Sequence, residues 1–132
     1  MKRALLLTAL GLVGCGSSAP DLFEVHRSGA DRAANLTMVV NDGGSVSCNG
    51  REHELPPKQL LRARELTRAL GDSAELGLDL PPAPGSVLSY RVRLQAGTIA
   101  FADNSRHLPR PLIQLEQFTK DVSENVCGVR RP

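Results

Sequence analysis

The sequence predicts an α+β domain, an antiparallel sheet of about four to five strands with two helices on one face. Three observations lead there. Short stretches that alternate apolar and polar residues are divided by Gly, Asn and Asp clusters, as in strands joined by tight turns. Two other stretches space their apolar residues by three and four, the period of a helix with one buried stripe. Each of these helices follows a hairpin, so the chain reads as two hairpin-plus-helix units.

Phe23-Glu24-Val25-His26-Arg27 alternates and is broken by Ser28-Gly29-Ala30-Asp31, which gives a first strand and a turn. Residues 36–40 are rich in strand formers, Asn41-Asp42-Gly43-Gly44 supplies turn chemistry, and residues 45–48 return as the partner strand. A second turn at Asn49-Gly50 and the lead-in Leu55-Pro56-Pro57 precede a helix over 58–70, with Leu60, Ala63, Leu66 or Thr67, and Leu70 on one stripe. Gly71 is expected to stop it as a C-terminal cap. Leu76, Leu78 and Leu80 alternate with Gly77 and Asp79, which suggests a short edge strand before the proline-rich 81–85. Leu88, Tyr90, Val92 and Leu94 then mark the clearest half-buried strand, Ala96-Gly97 turns, and residues 98–102 return. After Leu108-Pro109, a second helix carries Leu112, Leu115, Phe118 or Thr119, and Val122. Gly44-Ser45-Val46-Ser47 matches Gly97-Thr98-Ile99-Ala100 at an offset of about 53 residues, which suggests a duplication. Reuse of the same turn and helix-start chemistry explains the match equally well.

The chain opens with a different pattern. Met1-Lys2-Arg3 is positive and residues 4–13 form an apolar run broken only by Thr8 and Gly11, the order of an export signal. As a helix this run covers roughly 15 Å, about half a bilayer's hydrocarbon thickness, so it cannot serve as a permanent span. Leu12-Val13-Gly14-Cys15 resembles the lipobox of bacterial lipoproteins at every position. That resemblance implies a signal peptide over residues 1–14, cleavage before Cys15 and a diacylglyceryl group on its sulfur. It places the protein at the cell membrane, lipid-anchored and facing outside the cytoplasm. Two acyl chains hold a protein at a membrane where one is marginal. Residues 15–20 form the lipidated cysteine and a short flexible tether, and residues 21–132 one globular domain.

All 14 acidic residues follow Cys15, while Lys2 and Arg3 precede it, so the part beyond the leader is close to neutral. With few aromatics and no basic run apart from Arg130-Arg131 at the tail, nucleic acid is excluded as an expected partner. With Cys15 committed to lipid in an oxidising compartment, Cys48 and Cys127 are expected to form a disulfide. A redox or metal role is the alternative, but there is no Cys-x-x-Cys and no histidine at ligand spacing.

Catalytic chemistry finds little support. His53 and His107 occupy equivalent places in the two units and in principle could share zinc, but no third ligand is indicated. Neither Ser28 nor the pair Glu52 and Glu54 has the surroundings of a nucleophile or an acid–base pair, and no phosphate-binding glycine loop follows a strand. The expectation is a non-enzymatic binding or envelope-associated module, with no cofactor or metal and a possible protein partner in the envelope. Its candidate binding surface is Leu78 and Leu80 in the 72–86 segment together with Arg91 and Arg93 on the exposed strand face. An ordinary loop and a solvated face are the plainer reading of the same residues.

Residues 23–122 also resemble, in element order, the emfourin-type inhibitors of thermolysin-like metalloproteases. The shared features are a first strand ending in Arg27-Ser28-Gly29, a hairpin, a helix, a second hairpin with Tyr90, and a leucine-rich helix after Leu108-Pro109. The resemblance implies inhibition of an extracellular metalloprotease. Ala30 stands where that family has a second glycine and the cysteine pair is foreign to it, so no inhibitory residue is carried over.

Overall fold

The computed structural model describes residues 18–130. The expected signal peptide over residues 1–14, Cys15 with the expected lipidation, the first residues of the expected tether and residues 131–132 lie outside the described residues. Six strands build one antiparallel sheet: β1 (Asp21–Gly29), β2 (Leu36–Asn41), β3 (Ser45–Cys48), β4 (Arg51–Glu54), β5 (Leu88–Leu94) and β6 (Gly97–Ala102). Their order across the sheet is β4-β3-β2-β1-β5-β6. Helices α1 (Pro57–Glu75) and α2 (Arg110–Asn125) cover one face.

Alternation along the strands decides which residues meet the helices. Val25 stands opposite Met38 on one side and Val92 on the other, and all three are fully buried. Leu66, Leu70 and Ala74 of α1 and Leu112, Leu115, Phe118 and Val122 of α2 close the same core. Phe118 meets Phe23 edge to face at 5.7 Å, and Tyr90 stacks on Phe101 at 4.9 Å. Cys48 and Cys127 are bonded, with Cα atoms 6.2 Å apart, and so tie the end of β3 to the residues just beyond α2.

The sheet has one strand more than the upper expectation. Asn49 and Gly50 both take positive φ, 51° and 83°, which makes a tight hairpin turn and sends the chain back as β4. Its Arg-Glu-His-Glu sequence has no apolar alternation to announce a strand. Those exposed charges suit an outer strand, because they discourage edge-to-edge pairing with another chain.

Gly71 does not stop α1. The helix continues to Glu75 because Ala74, one turn beyond Leu70, extends the buried stripe. The left-handed residue that ends the helical course is Gly77, at φ 63°. The expected edge strand around Leu76, Leu78 and Leu80 shrinks to a single parallel bridge, Asp79 to Ala100, with Ala100 N–H donating to Leu78 O at 2.9 Å and Leu80 N–H to Ala100 O at 2.8 Å.

The two hairpin-plus-helix units are present but have opposite hands. β2 and β5 both run antiparallel to β1 from its two sides and are therefore parallel to each other. β3 lies outside β2 and β6 outside β5, while both helices pack on the same face. Copying a unit preserves its chirality, so the offset of about 53 residues is better explained by shared turn and helix-start chemistry than by duplication. Pro56 and Pro109 show that chemistry, since both precede a helix at nearly the same φ and ψ, −55° and 143° against −57° and 144°.

Candidate functional site

The helix-free face of the sheet is polar. Glu24 lies between Val39 and Arg93, and His26 between Thr37 and Arg91, all on this side. Glu24 accepts from Arg93 Nη2 at 2.5 Å and bonds His26 Nε2, whose Nδ1 stands 3.3 Å from Thr37 Oγ1. Burial pushes the Glu24 carboxyl up, but the Arg93 guanidinium and the His26 ring outweigh it and hold the carboxyl below its ordinary range. Rigid strands therefore present a connected row of charge.

Beside this row is a cleft of about 350 Å³ lined by His26, Ser89, Arg91, Asp79, Leu80 and Pro82. A second hollow of about 430 Å³, with Leu78, Gly97 and Thr98 in its wall, shares Arg91 and Asp79 with the first. The structure thus brings together Leu78, Leu80 and Arg91, which the sequence placed in two separate segments. The agent is the bridge between Asp79 and Ala100, because Ala100 is the β6 partner of Arg91. Arg91 and Arg93 are exposed, whereas Leu78 and Leu80 are half-buried and pack against the core. The arginines are available for contact, while the leucines position the loop.

That loop is stapled by Asp103-Asn104-Ser105, which the sequence marked only as a turn. Asn104 Nδ2 donates to the Ala83 and Pro84 carbonyls, both at 3.1 Å, and Ser105 Oγ donates to Pro81 O at 2.9 Å. Asp103 accepts from Ser86 Oγ at 3.0 Å and from the Val87 N–H at 3.2 Å.

His53 and His107 do not come together. His53 is on β4 at one edge of the sheet, while His107 follows β6 at the other, in a left-handed conformation at φ 56°. Among the described residues no group of three or more His, Cys, Asp or Glu side chains is placed to hold a metal ion. Glu52 and Glu54 stand exposed on the outer strand, and Ser28 is exposed near the end of β1.

A second polar site lies on the helix side and was not singled out in the sequence. Arg27, the inward residue of β1 after Phe23 and Val25, is 5% exposed. Its Nε donates to Ala34 O at 2.9 Å, and its Nη2 is buried without a partner. It borders a pocket of about 380 Å³ walled by Leu88, Tyr90, Asp103, Glu116 and Lys120. Glu116 Oε1 is likewise buried and unpartnered. Burial, and secondarily the charge of Asp103, raise the Glu116 carboxyl from 4.5 to about 7. Tyr90 is pushed up to about 12, mainly by burial and next by Glu116. Both features had a sequence signal: Arg27 keeps the inward phase of the first strand, and Glu116 is one turn after Leu112.

No protein-family model, curated protein or solved structure matches the chain. Among the described residues no helix is long and apolar enough to cross a membrane.

Proposed function

We propose that the chain is a membrane-anchored lipoprotein whose small extracytoplasmic domain is a non-enzymatic binding module for a partner in the cell envelope. The anchoring part of this reading rests on Leu12-Val13-Gly14-Cys15, and the binding part on one observation, the convergence of exposed Arg91 with the stapled 78–82 loop around a cleft on the uncovered face. Arginine on a rigid polar surface suits protein recognition, since its planar fork loses little freedom on contact.

Labelled fatty acid supplied to cells expressing the protein tests the anchor. Label is expected on the wild type and absent from Cys15→Ser, which should leave the membrane fraction; an unlabelled wild type rejects the anchor. A photo-crosslinking residue at position 91 is expected to give a discrete envelope adduct that the same residue at position 68, on the exposed side of α1, does not. Equal adducts at both positions, or none, reject the binding face.

The order of strands and helices, apart from the added β4, is the one the emfourin resemblance rests on, and it supports a second reading, inhibition of an extracellular metalloprotease. Undiminished activity of a thermolysin-like protease at large excess of the protein removes it.

A further inference from the structure

The pocket behind Arg27 has more charge than the fold needs. A guanidinium is ionised at any physiological pH, and a buried N–H of a charged group left without an acceptor is a net cost to folding. Nε is used by Ala34 O, but Nη2 has no acceptor, and no carboxylate lies within ion-pair distance of Arg27 among the described residues. A methionine or leucine would fill the space after Phe23 and Val25 without that penalty. The cost is offset if an acceptor enters from the pocket.

The neighbours narrow the acceptor's chemistry. Asp103 accepts from Ser86 and the Val87 amide and forms no ion pair with Arg27. Glu116, with its unpartnered buried oxygen and a carboxyl raised to about 7, offers an O–H donor when it holds its proton. A cation is disfavoured by the fixed charge of Arg27, and a dianion by the nearby Asp103 carboxylate. A single carboxylate has two oxygens to offer, one for the guanidinium and one for the Glu116 acid, and both groups line this pocket. Leu88 and Tyr90 supply an apolar wall, and about 380 Å³ accommodates a body the size of one amino-acid residue.

We propose that the pocket formed by Arg27, Leu88, Tyr90 and Glu116 binds one carboxylate carried on a small apolar body, either a free acid or the C-terminal residue of a peptide. This site is on the helix side of the sheet, apart from the Arg91 cleft, and its occupation does not depend on lipid at Cys15.

The test uses the full chain purified in detergent, titrated with N-acetylleucine, with N-acetylleucinamide, and with a glycine-rich peptide ending in leucine. The readout is the Arg27 Nε–H resonance together with calorimetry. The acid is expected to shift the Arg27 resonance saturably and to bind at least about tenfold more tightly than the amide, because charge-assisted bonds to the guanidinium are lost in the amide. Binding by the peptide as well identifies a chain terminus as a source, and binding by the acid alone identifies a free acid. Arg27→Gln is expected to weaken acid binding at least about tenfold. Glu116→Gln is expected to retain binding and to remove its decline between pH 6 and 8, since an amide donates at every pH. The other charged or titratable groups around the pocket are Arg27 on β1, Tyr90 on β5, Asp103 after β6, and Lys120 and Glu124 on α2. Burial raises the Glu116 carboxyl into this range, to about 7. An equal response to acid and amide, or no shift at the acid's solubility limit, overturns the proposal using the unaltered chain, so it stays decidable even if Arg27→Gln fails to fold.

Discussion

Replacing Glu116 with glutamine removes a carboxyl whose ionisation the fold opposes, and the effect on stability has a defined sign. Below about pH 4.5 the carboxyl is protonated in folded and unfolded chains alike and contributes no difference. Between 4.5 and about 7 the folded chain keeps a proton that the unfolded chain has released. Stability therefore falls as pH rises through this window, and the penalty is complete above it. At about 1.36 kcal/mol per pH unit the full shift corresponds to roughly 3.4 kcal/mol, and partial hydration of a half-buried group reduces this to about 1.5 kcal/mol. Urea unfolding of wild type and Glu116→Gln at pH 5 and pH 8 measures the difference. Part of the penalty is already present at pH 5, so the variant is expected to gain about 1 kcal/mol more at pH 8 than at pH 5 relative to wild type. Glu24, held below 4.5, and Tyr90, near 12, titrate outside the window and cancel in the comparison. The same pH dependence in both proteins would refute the reasoning, because it would mean that Glu116 ionises freely in the fold.

Two glycines respond in opposite directions. A Cβ at Gly97, where φ is 152°, would lie 2.1 Å from Ala74 O, so Gly97→Ala must displace the end of α1 and is expected to cost more than about 3 kcal/mol, read as a fall in melting temperature. Gly71→Ala meets nothing within 4 Å inside a helix and is expected to stabilise by about 0.5–1 kcal/mol in the same melt; a loss there would place Gly71 outside the helix. Removing the disulfide by Cys48→Ala with Cys127→Ala frees a closed segment with a separation of 79 residues. Chain entropy sets the expected loss at up to about 4.5 kcal/mol in urea midpoints, and a loss below about 1 kcal/mol would show that the reduced chain is held by its core alone.

Legibility in the sequence followed the hydrophobic period. The strand with Leu88, Tyr90, Val92 and Leu94 was readable because one face is core and the other is open, and α2 was readable because its stripe is unbroken. β4 was invisible to that method, since no residue of Arg-Glu-His-Glu is apolar, although Asn49-Gly50 was itself a hairpin signal. Gly71 misled because a glycine at the end of a stripe has the form of a cap, whereas Ala74 carries the stripe one turn further. The stapling of the 78–86 loop by Asp103-Asn104-Ser105 rests on side-chain bonds to backbone some 20 residues away, for which no local pattern exists. The meeting of Leu80 with Arg91 depends on a single bridge at a sheet edge, again a tertiary event.

β1 links the two ends of the domain. At its start, Asn41 Nδ2 donates to Ala19 O at 2.8 Å and the Asp42 N–H to Pro20 O at 2.9 Å, so Ala19 and Pro20 pack beside the β2–β3 turn. Arg27 is six residues further along, roughly 20 Å away at about 3.3 Å per residue, with its pocket at the opposite end of the sheet. Cys48, at the far end of β3, is at that same end and holds the chain just beyond α2, the helix that carries Glu116 and Lys120. The covalent link thus braces the wall of the pocket as well as the core. An anchor on residue 15 would direct the pocket away from the lipid surface, where a dissolved carboxylate could reach it.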